Sequence, residues 1–229
     1  MTSFVFKVLP QYFGKLYIMN KIIMALPKGR ILKELVPLLE KANITPEKEF
    51  FNPNSRKLLF TTNQKKLSII KVRSFDVATF VAFGAAQIGV AGDDVINEFN
   101  YEEIYNLYDL KIGKCRLSVA KIKEKKPNVD KKGHIIVATK YKNITTNYFA
   151  KKGIRAECIK LNGAVELAPK LKICSTIVDL VSTGKTLSEN NLEESSLVMQ
   201  ITSKLIINKI AYKLMNDDIT KILNKFKRS

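Results

Sequence analysis

Histidine, tryptophan and paired cysteines are scarce or absent in this sequence. Among 229 residues there is one histidine, His134, and no tryptophan. The three cysteines, Cys115, Cys158 and Cys174, form no C-x-x-C pair. A Ser-His-Asp triad is therefore not expected, a multi-histidine metal site is excluded, and neither a disulfide framework nor a zinc site is indicated. Any catalysis must rest on Arg, Lys, Asp, Glu, backbone amides or a bound ion.

Long apolar runs are also missing. No stretch approaches the roughly 18 apolar residues that a membrane span needs, so no membrane partner is expected. With 46% hydrophobic and 26% charged residues, the composition is that of an ordinary soluble globular enzyme. The unpaired cysteines fit a reducing compartment, and the length suits one large domain or two small ones. We expect a cytoplasmic protein.

Acidic residues are few relative to basic ones, and the formal net charge is +18. Such a charge can mark a nucleic-acid-binding protein. The lysines, however, are spread along the whole chain. The densest cluster, residues 121–132, includes Glu124, Pro127 and Asp130 and has no aromatic residue on which a base could stack. A solvated loop is favoured over a nucleic-acid surface, and no nucleic-acid partner is expected.

The first 20 residues lack the pattern of a targeting segment. Lys7, Pro10 and Lys15 interrupt their apolar part, and no A-x-A cleavage site follows. We interpret residues 1–20 as an N-terminal extension, with Met19 as the natural start, and leave them out of the fold prediction.

Apolar strand-like runs alternate with segments of helical period along the rest of the chain, which predicts an α/β fold with parallel sheets. The predicted strands are 21–26, 55–60, 67–72, 87–92, 114–120, 134–139, 155–161, 177–181 and 196–208, and Ile177, Val178, Leu180 and Val181 are expected to be buried. The predicted helices are 31–42, 76–86, 94–99, 143–152, 163–171 and 217–226, the last amphipathic with its apolar residues at Ile219, Ile222, Leu223 and Phe226. Asp93 and Asn143 are expected to cap the helices that follow them.

The motif with the strongest functional signal lies in residues 173–187, ICSTIVDLVSTGKTL. A short buried strand is expected to lead through a hydroxyl-rich turn into a helix. Free backbone N–H groups and threonine hydroxyls at such a turn favour an anion. Asp179, near the carboxyl end of the strand, suits ribose hydroxyls or a phosphate-bound Mg²⁺. The spacing D-x-x-x-T-G-x-T therefore indicates a site for a phosphorylated ribose, with a plain solvated turn as the alternative.

The same turn imitates the end of a P-loop, because Gly184, Lys185 and Thr186 match its G-K-[ST]. The first glycine of that motif would fall at position 179, which is Asp179. A Walker A loop is therefore excluded.

A second basic turn, Lys28-Gly29-Arg30, follows the first predicted strand. Cations and free amides at such a strand-to-helix junction suit an anion, although both side chains could simply be solvated. Arg56 and Arg73 flank the next two predicted strands.

Seven segments in sequence order resemble the ATP phosphoribosyltransferases that open histidine biosynthesis. They are ALPKGRIL (25–32), SRKLLF (55–60), VRSFDVATFVAFGAAQIGVAGDDVI (72–96), YDLKIGKCRLSVA (108–120), VATKYKNITTNYFAKKGI (137–154), IKLNGAVELAP (159–169) and IVDLVSTGKTLSENNL (177–192). The chain is similar to the short form of the family, which lacks a C-terminal histidine-sensing domain.

This resemblance implies a two-lobed fold like the type II periplasmic binding proteins, with a ligand cleft between the lobes. The first lobe would comprise residues 21–114 plus 195–229, and the second 115–194. The implied reaction is attack of N1 of ATP on C1 of 5-phosphoribosyl 1-pyrophosphate (PRPP), which gives phosphoribosyl-ATP and pyrophosphate. No protein nucleophile is needed, in agreement with the scarcity of histidine.

The resemblance also implies roles for individual residues. Arg56, Arg30 and Asp179 would be catalytic, with Arg56 at the departing pyrophosphate. PRPP would be bound by Asp179, Thr183, Gly184, Lys185, Thr186 and Leu187. ATP or polyphosphate would be bound by Lys28, Gly29, Arg30, Arg73, Asn162, Gly163 and Glu166. Arg73 could alternatively form a surface ion pair, and Glu166 could be a helix-capping carboxylate. Other phosphoribosyltransferases often carry two adjacent acidic residues before this loop, but here Val178 precedes Asp179. No metal ion held directly by protein side chains is therefore assigned.

The implied cofactor is Mg²⁺, bound mainly through the phosphates of PRPP and ATP. The implied protein partners are a second copy of the chain, as a homodimer, and a regulatory subunit similar to a histidyl-tRNA synthetase. An alternative function is a non-catalytic, two-lobed module that binds a phosphosugar or nucleotide.

Overall fold

The computed structural model describes residues 21–123 and 133–227. The predicted extension and most of the basic cluster, residues 124–132, lie outside this range.

The chain folds into two compact units, each with its own sheet, and the predicted α/β class is confirmed. The first unit comprises the described residues up to Ala91, Tyr101–Asp109 and the chain from Lys204; the second comprises Gly92–Asn100 and Leu110–Ser203. This division differs from the predicted lobe boundaries at Gly92–Asn100, 110–114 and 195–203, which all belong to the second unit.

A six-stranded sheet forms the centre of the first unit. Its strands are β1 (Ile22–Pro27), β2 (Leu59–Thr61), β3 (Leu67–Val72), β4 (Ile88–Gly92), β5 (Ile104–Asp109) and β11 (Ser203–Asn208), in the order β2-β3-β1-β4-β11-β5. β1 runs parallel to both β3 and β4, whereas β2 and β5 pair antiparallel at the two edges. The carboxyl ends of β1, β3 and β4 therefore lie along one edge of this sheet.

Four helices accompany this sheet: α1 (Arg30–Lys41), α2 (Ser74–Ala82), α7 (Lys209–Leu214) and α8 (Asn216–Lys227). α1 contacts β1 and α8, and α2 contacts β1. In α8 the residues predicted to be apolar-facing, Ile219, Ile222, Leu223 and Phe226, are all buried. Buried Asn208 joins two helices, because its amide donates to the carbonyl oxygens of Val81 and Ala82 while its oxygen caps α7.

A five-stranded sheet forms the centre of the second unit. Its strands are β6 (Cys115–Ile122), β7 (His134–Thr139), β8 (Arg155–Lys160), β9 (Thr176–Val181) and β10 (Leu192–Ile201), in the order β10-β6-β9-β7-β8. β7 is parallel to β8 and β9, while β6 is antiparallel to β9 and β10. β7, β8 and β9 therefore end at the same edge.

The helices of the second unit are α3 (Asp93–Phe99), α4 (Lys142–Ala150), α5 (Leu167–Lys170) and α6 (Lys185–Glu189). α3 packs on α4, α4 on β8, and α6 on β10. One core cluster lies beneath α5 and α6 and includes Ala138, Val165, Ile177 and Leu187.

Several predicted elements were wrong in extent. The strand predicted over 55–60 forms only at Leu59–Thr61, and the helix predicted over 163–171 shortens to α5. The single strand predicted over 196–208 is two strands, β10 and β11. β5 was not predicted.

Both predicted helix caps were wrong. Gly92, not Asp93, occupies the N-cap position of α3, and the Asp93 carboxylate accepts hydrogen bonds from the N–H and hydroxyl of Thr202. At α4 the cap comes from another element, because the Glu98 carboxylate accepts from the N–H groups of Asn143 and Ile144 at 3.1 Å. The Asn143 side chain donates to the Glu98 carbonyl.

Within the described ranges, no helix combines the length and the hydrophobicity required to cross a membrane.

Candidate functional site

The turn after β9 exposes several unsatisfied backbone donors. Gly184 lies in the left-handed region at φ 81°, and open space surrounds the position that a Cβ would take. The N–H of Lys185 reaches the Thr183 hydroxyl at 3.4 Å. In the part of the chain that the structure describes, the N–H groups of Thr183, Gly184, Thr186 and Leu187 have no hydrogen-bond acceptor. An open left-handed turn with free N–H groups and two hydroxyls is suited to bind a phosphate.

Two residues of this turn differ in what their side chains can offer. Leu187 is 7% exposed and packs in the core cluster, so only its backbone N–H can contribute to binding. The Lys185 side chain is 81% exposed, and its ammonium lies 3.9 Å from Glu189, an i,i+4 pair that contributes little stability.

Asp179 lies half-buried on β9, two residues before the strand ends. Its Oδ1 accepts a hydrogen bond of 2.8 Å from the N–H of Leu180. Burial, assisted by the negative charge of Glu166, raises the pKa of Asp179 to about 6, although the Leu180 hydrogen bond and the positive charge of Lys140 oppose this. The carboxylate is therefore ionised at neutral pH and ready to accept hydrogen bonds from ribose hydroxyls. Leu180, predicted to be buried, is 41% exposed.

Segments that follow the other two parallel strands flank Asp179. Asn162 and Gly163 follow β8 and are exposed, and Glu166 lies further along the same loop. Glu166 occupies the position before α5 but makes no side-chain cap hydrogen bond, so the capping role considered for it was wrong.

Lys140 follows β7 directly and was missed by sequence reasoning. Its charge acts on both Asp179 and Asp94. Its position after a parallel strand was the available signal, because ligands of open α/β sheets bind at the carboxyl ends of strands.

The basic turn of the first unit follows β1. Gly29, at φ 92°, turns the chain into α1, and the N–H of Lys28 donates to the Val72 carbonyl at 2.8 Å. Lys28, Gly29 and Arg30 are all exposed, and Arg30 lies 3.9 Å from Glu34. The turn thus presents two cations at the carboxyl edge of the sheet.

Arg73 lies at the same edge, because Val72 pairs with Pro27 in the parallel register of β3 and β1. It is exposed, and no described carboxylate lies within ion-pair distance of it, so the alternative of a surface ion pair for Arg73 was wrong. Three cations of the predicted polyphosphate set therefore share one edge.

Arg56 is exposed and lies in the loop before β2, because the strand predicted over 55–60 begins only at Leu59. The loop is tied down on both sides of it. The Lys71 ammonium donates to the Phe50 carbonyl at 2.7 Å, and Lys57 pairs with Glu47 at 2.7 Å. The Leu58 carbonyl accepts a hydrogen bond from the N–H of Lys71, so the chain just after Arg56 runs beside the end of β3.

The oxygen donors beside the phosphate turn suit a hard cation. The described residues contain no group of three or more His, Cys, Asp or Glu placed to hold a metal ion. The negative charge of Glu166 nevertheless contributes to the raised pKa of Asp179, and carboxylate oxygens are ligands that Mg²⁺ accepts. These residues fit a Mg²⁺ that completes its coordination with phosphate oxygens and water.

Residues 73–228 match the family model HisG, described as ATP phosphoribosyltransferase. The ATP phosphoribosyltransferase of Rhodospirillum rubrum is 53% identical over 212 residues, which cover 92% of this chain and 93% of the relative. That of Paramagnetospirillum magneticum is 51% identical and is covered over 97% of its length.

Solved structures agree with these relatives. A chain of the ATP phosphoribosyl transferase (HisG:HisZ) complex from Thermotoga maritima superposes with a TM-score of 0.77 at 30% identity, covering 90% of this chain and 96% of that one. The periplasmic VFT2 domain of Bordetella pertussis BvgS superposes with a TM-score of 0.57 at 13% identity, which shows a shared fold and confirms the predicted likeness to periplasmic binding proteins. From the family match over residues 73–228 and the close relatives over nearly their full length, we conclude that the chain belongs to the ATP phosphoribosyltransferase family.

Proposed function

We propose that this chain condenses ATP with PRPP to give phosphoribosyl-ATP and pyrophosphate, the first step of histidine biosynthesis. The observation that carries the proposal is the edge where β7, β8 and β9 end. There a turn with free N–H groups and threonine hydroxyls lies beside Asp179, in a member of a family named for this reaction.

The turn 183–187 holds the 5-phosphate of PRPP through its N–H groups and hydroxyls. The ionised Asp179 carboxylate accepts hydrogen bonds from the ribose hydroxyls. Asn162, Gly163 and Glu166, in the loop that follows β8, bind the nucleotide. Because Glu166 is acidic, it suits ribose or amino groups rather than phosphate.

The reaction forms a bond between N1 of ATP and C1 of the ribose while the bond from C1 to the pyrophosphate oxygen breaks. Positive character develops on the ribose carbon and negative charge on the leaving group. Preorganised cations stabilise such charge, and Arg56 and Arg30 have this role, while Lys28 and Arg73 bind polyphosphate. All four side chains are exposed in the first unit.

Mg²⁺, when bound, neutralises the phosphate oxygens of PRPP and ATP and strengthens pyrophosphate as a leaving group. Asp179 and Glu166 are the side chains that would take part in holding it.

A regulatory partner is part of this proposal. The Thermotoga maritima structure is a HisG:HisZ complex, and this chain covers 96% of its matching chain. We infer a hetero-oligomer with a regulatory subunit similar to a histidyl-tRNA synthetase, built on a homodimer of this chain. We place the reaction in the cytoplasm, where ATP is available and the three free thiols stay reduced.

The test is product formation by the purified chain from ATP, PRPP and Mg²⁺ in a reducing buffer, followed by chromatography. Phosphoribosyl-ATP is the expected product, made by the chain alone or after the regulatory subunit is added. Absence of both product and PRPP binding, with and without that subunit, would overturn the proposal.

A further inference from the structure

We propose that Arg116 is a positioning residue that holds the phosphate turn in the shape that binds PRPP. Arg116 lies on β6, outside the turn, and one of its guanidinium nitrogens donates to the Ser182 carbonyl at 3.3 Å. Ser182 is the first residue after β9. The inference rests on the proposed function, since it concerns the same phosphate site.

The strand register explains this contact. β6 and β9 are antiparallel, and Arg116 lies directly opposite Val181, the last residue of β9. Residues opposite each other in such a pair project to the same face. A long side chain at this position reaches past the end of β9 to the start of the turn, which a shorter one could not do.

Glu194 on β10 fixes the direction of the guanidinium. It accepts two hydrogen bonds from Arg116, from Nε at 2.7 Å and from Nη2 at 2.6 Å, and a third from the Ser118 hydroxyl at 2.7 Å. This two-pronged pairing leaves Nη1 for Ser182. The geometry requires the planar guanidinium fork, which lysine does not have.

The electrostatics match this geometry. The Arg116 guanidinium lowers the pKa of Glu194, and Glu194 raises that of Arg116. Both side chains are partly exposed, at 34% and 27%. Solvent screens a partly exposed ion pair, so its contribution to stability is modest, and holding the turn is the more specific consequence of this pair.

Few local bonds hold the turn itself in the described part of the chain. The Lys185 N–H reaches the Thr183 hydroxyl at 3.4 Å, the Ser188 N–H donates to the Gly184 carbonyl at 3.1 Å, and the Asn190 side chain donates to the Thr186 carbonyl at 2.9 Å. Anchoring the Ser182 carbonyl keeps the following N–H groups directed at one point. Loss of this anchor should weaken phosphate binding. Once PRPP fills the site, the arrangement of the reacting groups should be unchanged.

The test compares Arg116→Met, Arg116→Lys and Glu194→Gln with wild type by calorimetric PRPP binding and by steady-state kinetics with the regulatory subunit present. We expect Kd and KM for PRPP to rise about 10-fold in each variant, as for the loss of roughly one charge-assisted hydrogen bond. KM for ATP and kcat at saturating PRPP should change less than about 3-fold, since neither depends on the turn's ground-state shape.

Glu194→Gln separates positioning from direct contact. If Arg116 bound the phosphate itself, release from Glu194 would leave PRPP affinity unchanged or improve it; a loss of affinity supports positioning. The matched control is Glu193→Gln, which breaks the 3.0 Å pair between Glu193 and Lys121 on the same two strands, five positions along β6 from Arg116. It should leave KM for PRPP unchanged.

Unaltered PRPP affinity in folded Arg116→Met and Glu194→Gln would overturn the inference, as would an equal loss in Glu193→Gln. A wild-type chain that binds no PRPP would overturn the proposed function itself, and this inference with it.

Discussion

The hydroxyl of Tyr141 donates a hydrogen bond of 2.9 Å to Oδ2 of Asp94, and both side chains are buried. Asp94 lies in the first turn of α3 and Tyr141 immediately precedes α4, so the bond joins the two helices. Burial raises the pKa of Asp94, while the Tyr141 hydrogen bond lowers it. Burial and the Asp94 charge together raise the pKa of Tyr141, which stays a donor.

Tyr141→Phe should destabilise the protein by about 1–3 kcal/mol, because it removes one hydrogen-bond donor from a buried carboxylate. The pKa of Asp94 should rise further above its unfolded value. A group with a raised folded pKa stabilises the fold below the unfolded pKa, and this contribution is lost as pH rises through the folded pKa. The loss from Tyr141→Phe should therefore be larger at pH 8 than at pH 4 in urea unfolding.

The control for this prediction is the double variant Asp94→Asn with Tyr141→Phe. An amide costs less to bury than a carboxylate, so the pH dependence should disappear. Equal destabilisation of Tyr141→Phe at both pH values would show that Asp94 is not the group responsible.

Asp179→Asn should raise stability and lower activity. In the wild type the folded pKa of about 6 lies above an unfolded value near 3.8, so ionised Asp179 costs up to about 1–3 kcal/mol above pH 6. The asparagine variant avoids this cost and should be the more stable at pH 8, with the difference gone near pH 4. Its kcat/KM for PRPP should fall by about 10-fold or more, because a neutral amide accepts ribose hydrogen bonds less strongly.

Glu166→Gln, which removes a neighbouring negative charge, should lower the pKa of Asp179. A wild type as stable as Asp179→Asn at pH 8 would contradict the burial argument.

Elements with a strong local pattern could be predicted from the sequence. The run 67–72 forms β3 with the predicted bounds, and α8 buries the four predicted apolar residues. β5 escaped prediction because it is an edge strand, and Tyr105, Leu107 and Tyr108 are each more than a third exposed. Such a strand forms by pairing with β11, and its sequence carries no buried alternation.

The predictions of the helix caps failed for a related reason. The partner of Asp93 is 109 residues away, and the Glu98 carboxylate that caps α4 is 45 residues from Asn143. Local rules choose the nearest polar side chain and cannot see partners that the tertiary fold supplies.

The candidate site was predictable where it follows parallel strands. The position of Arg73 beside the Lys28 turn follows from strands ending at a common edge. The pair of Arg116 and Glu194 could not be predicted from the sequence, because the two residues are 78 positions apart and no motif links them.

Gly184→Ala should destabilise the protein by about 1 kcal/mol, because φ 81° is strained for a residue with a Cβ. No atom lies within 4 Å of the added Cβ, so the cost should come from the backbone alone. Gly184→Asn should cost less, since asparagine tolerates this conformation, and it is the matched control. Urea unfolding of the three proteins measures the difference; an alanine variant as stable as wild type would show that the left-handed turn is not required.

Arg56→Ala should slow the chemical step by about 100-fold or more, as expected for loss of one preorganised charge at a leaving group. The loop that carries Arg56 is anchored by Lys71 and Lys57 rather than by Arg56, so the substitution should not disturb the fold. Single-turnover formation of phosphoribosyl-ATP with the regulatory subunit present separates chemistry from product release. Arg155→Ala is the matched control, because Arg155 is an exposed arginine at the amino end of β8, opposite to the phosphate edge. An unchanged single-turnover rate in Arg56→Ala would remove Arg56 from this role, and an equal loss in Arg155→Ala would attribute the effect to net charge.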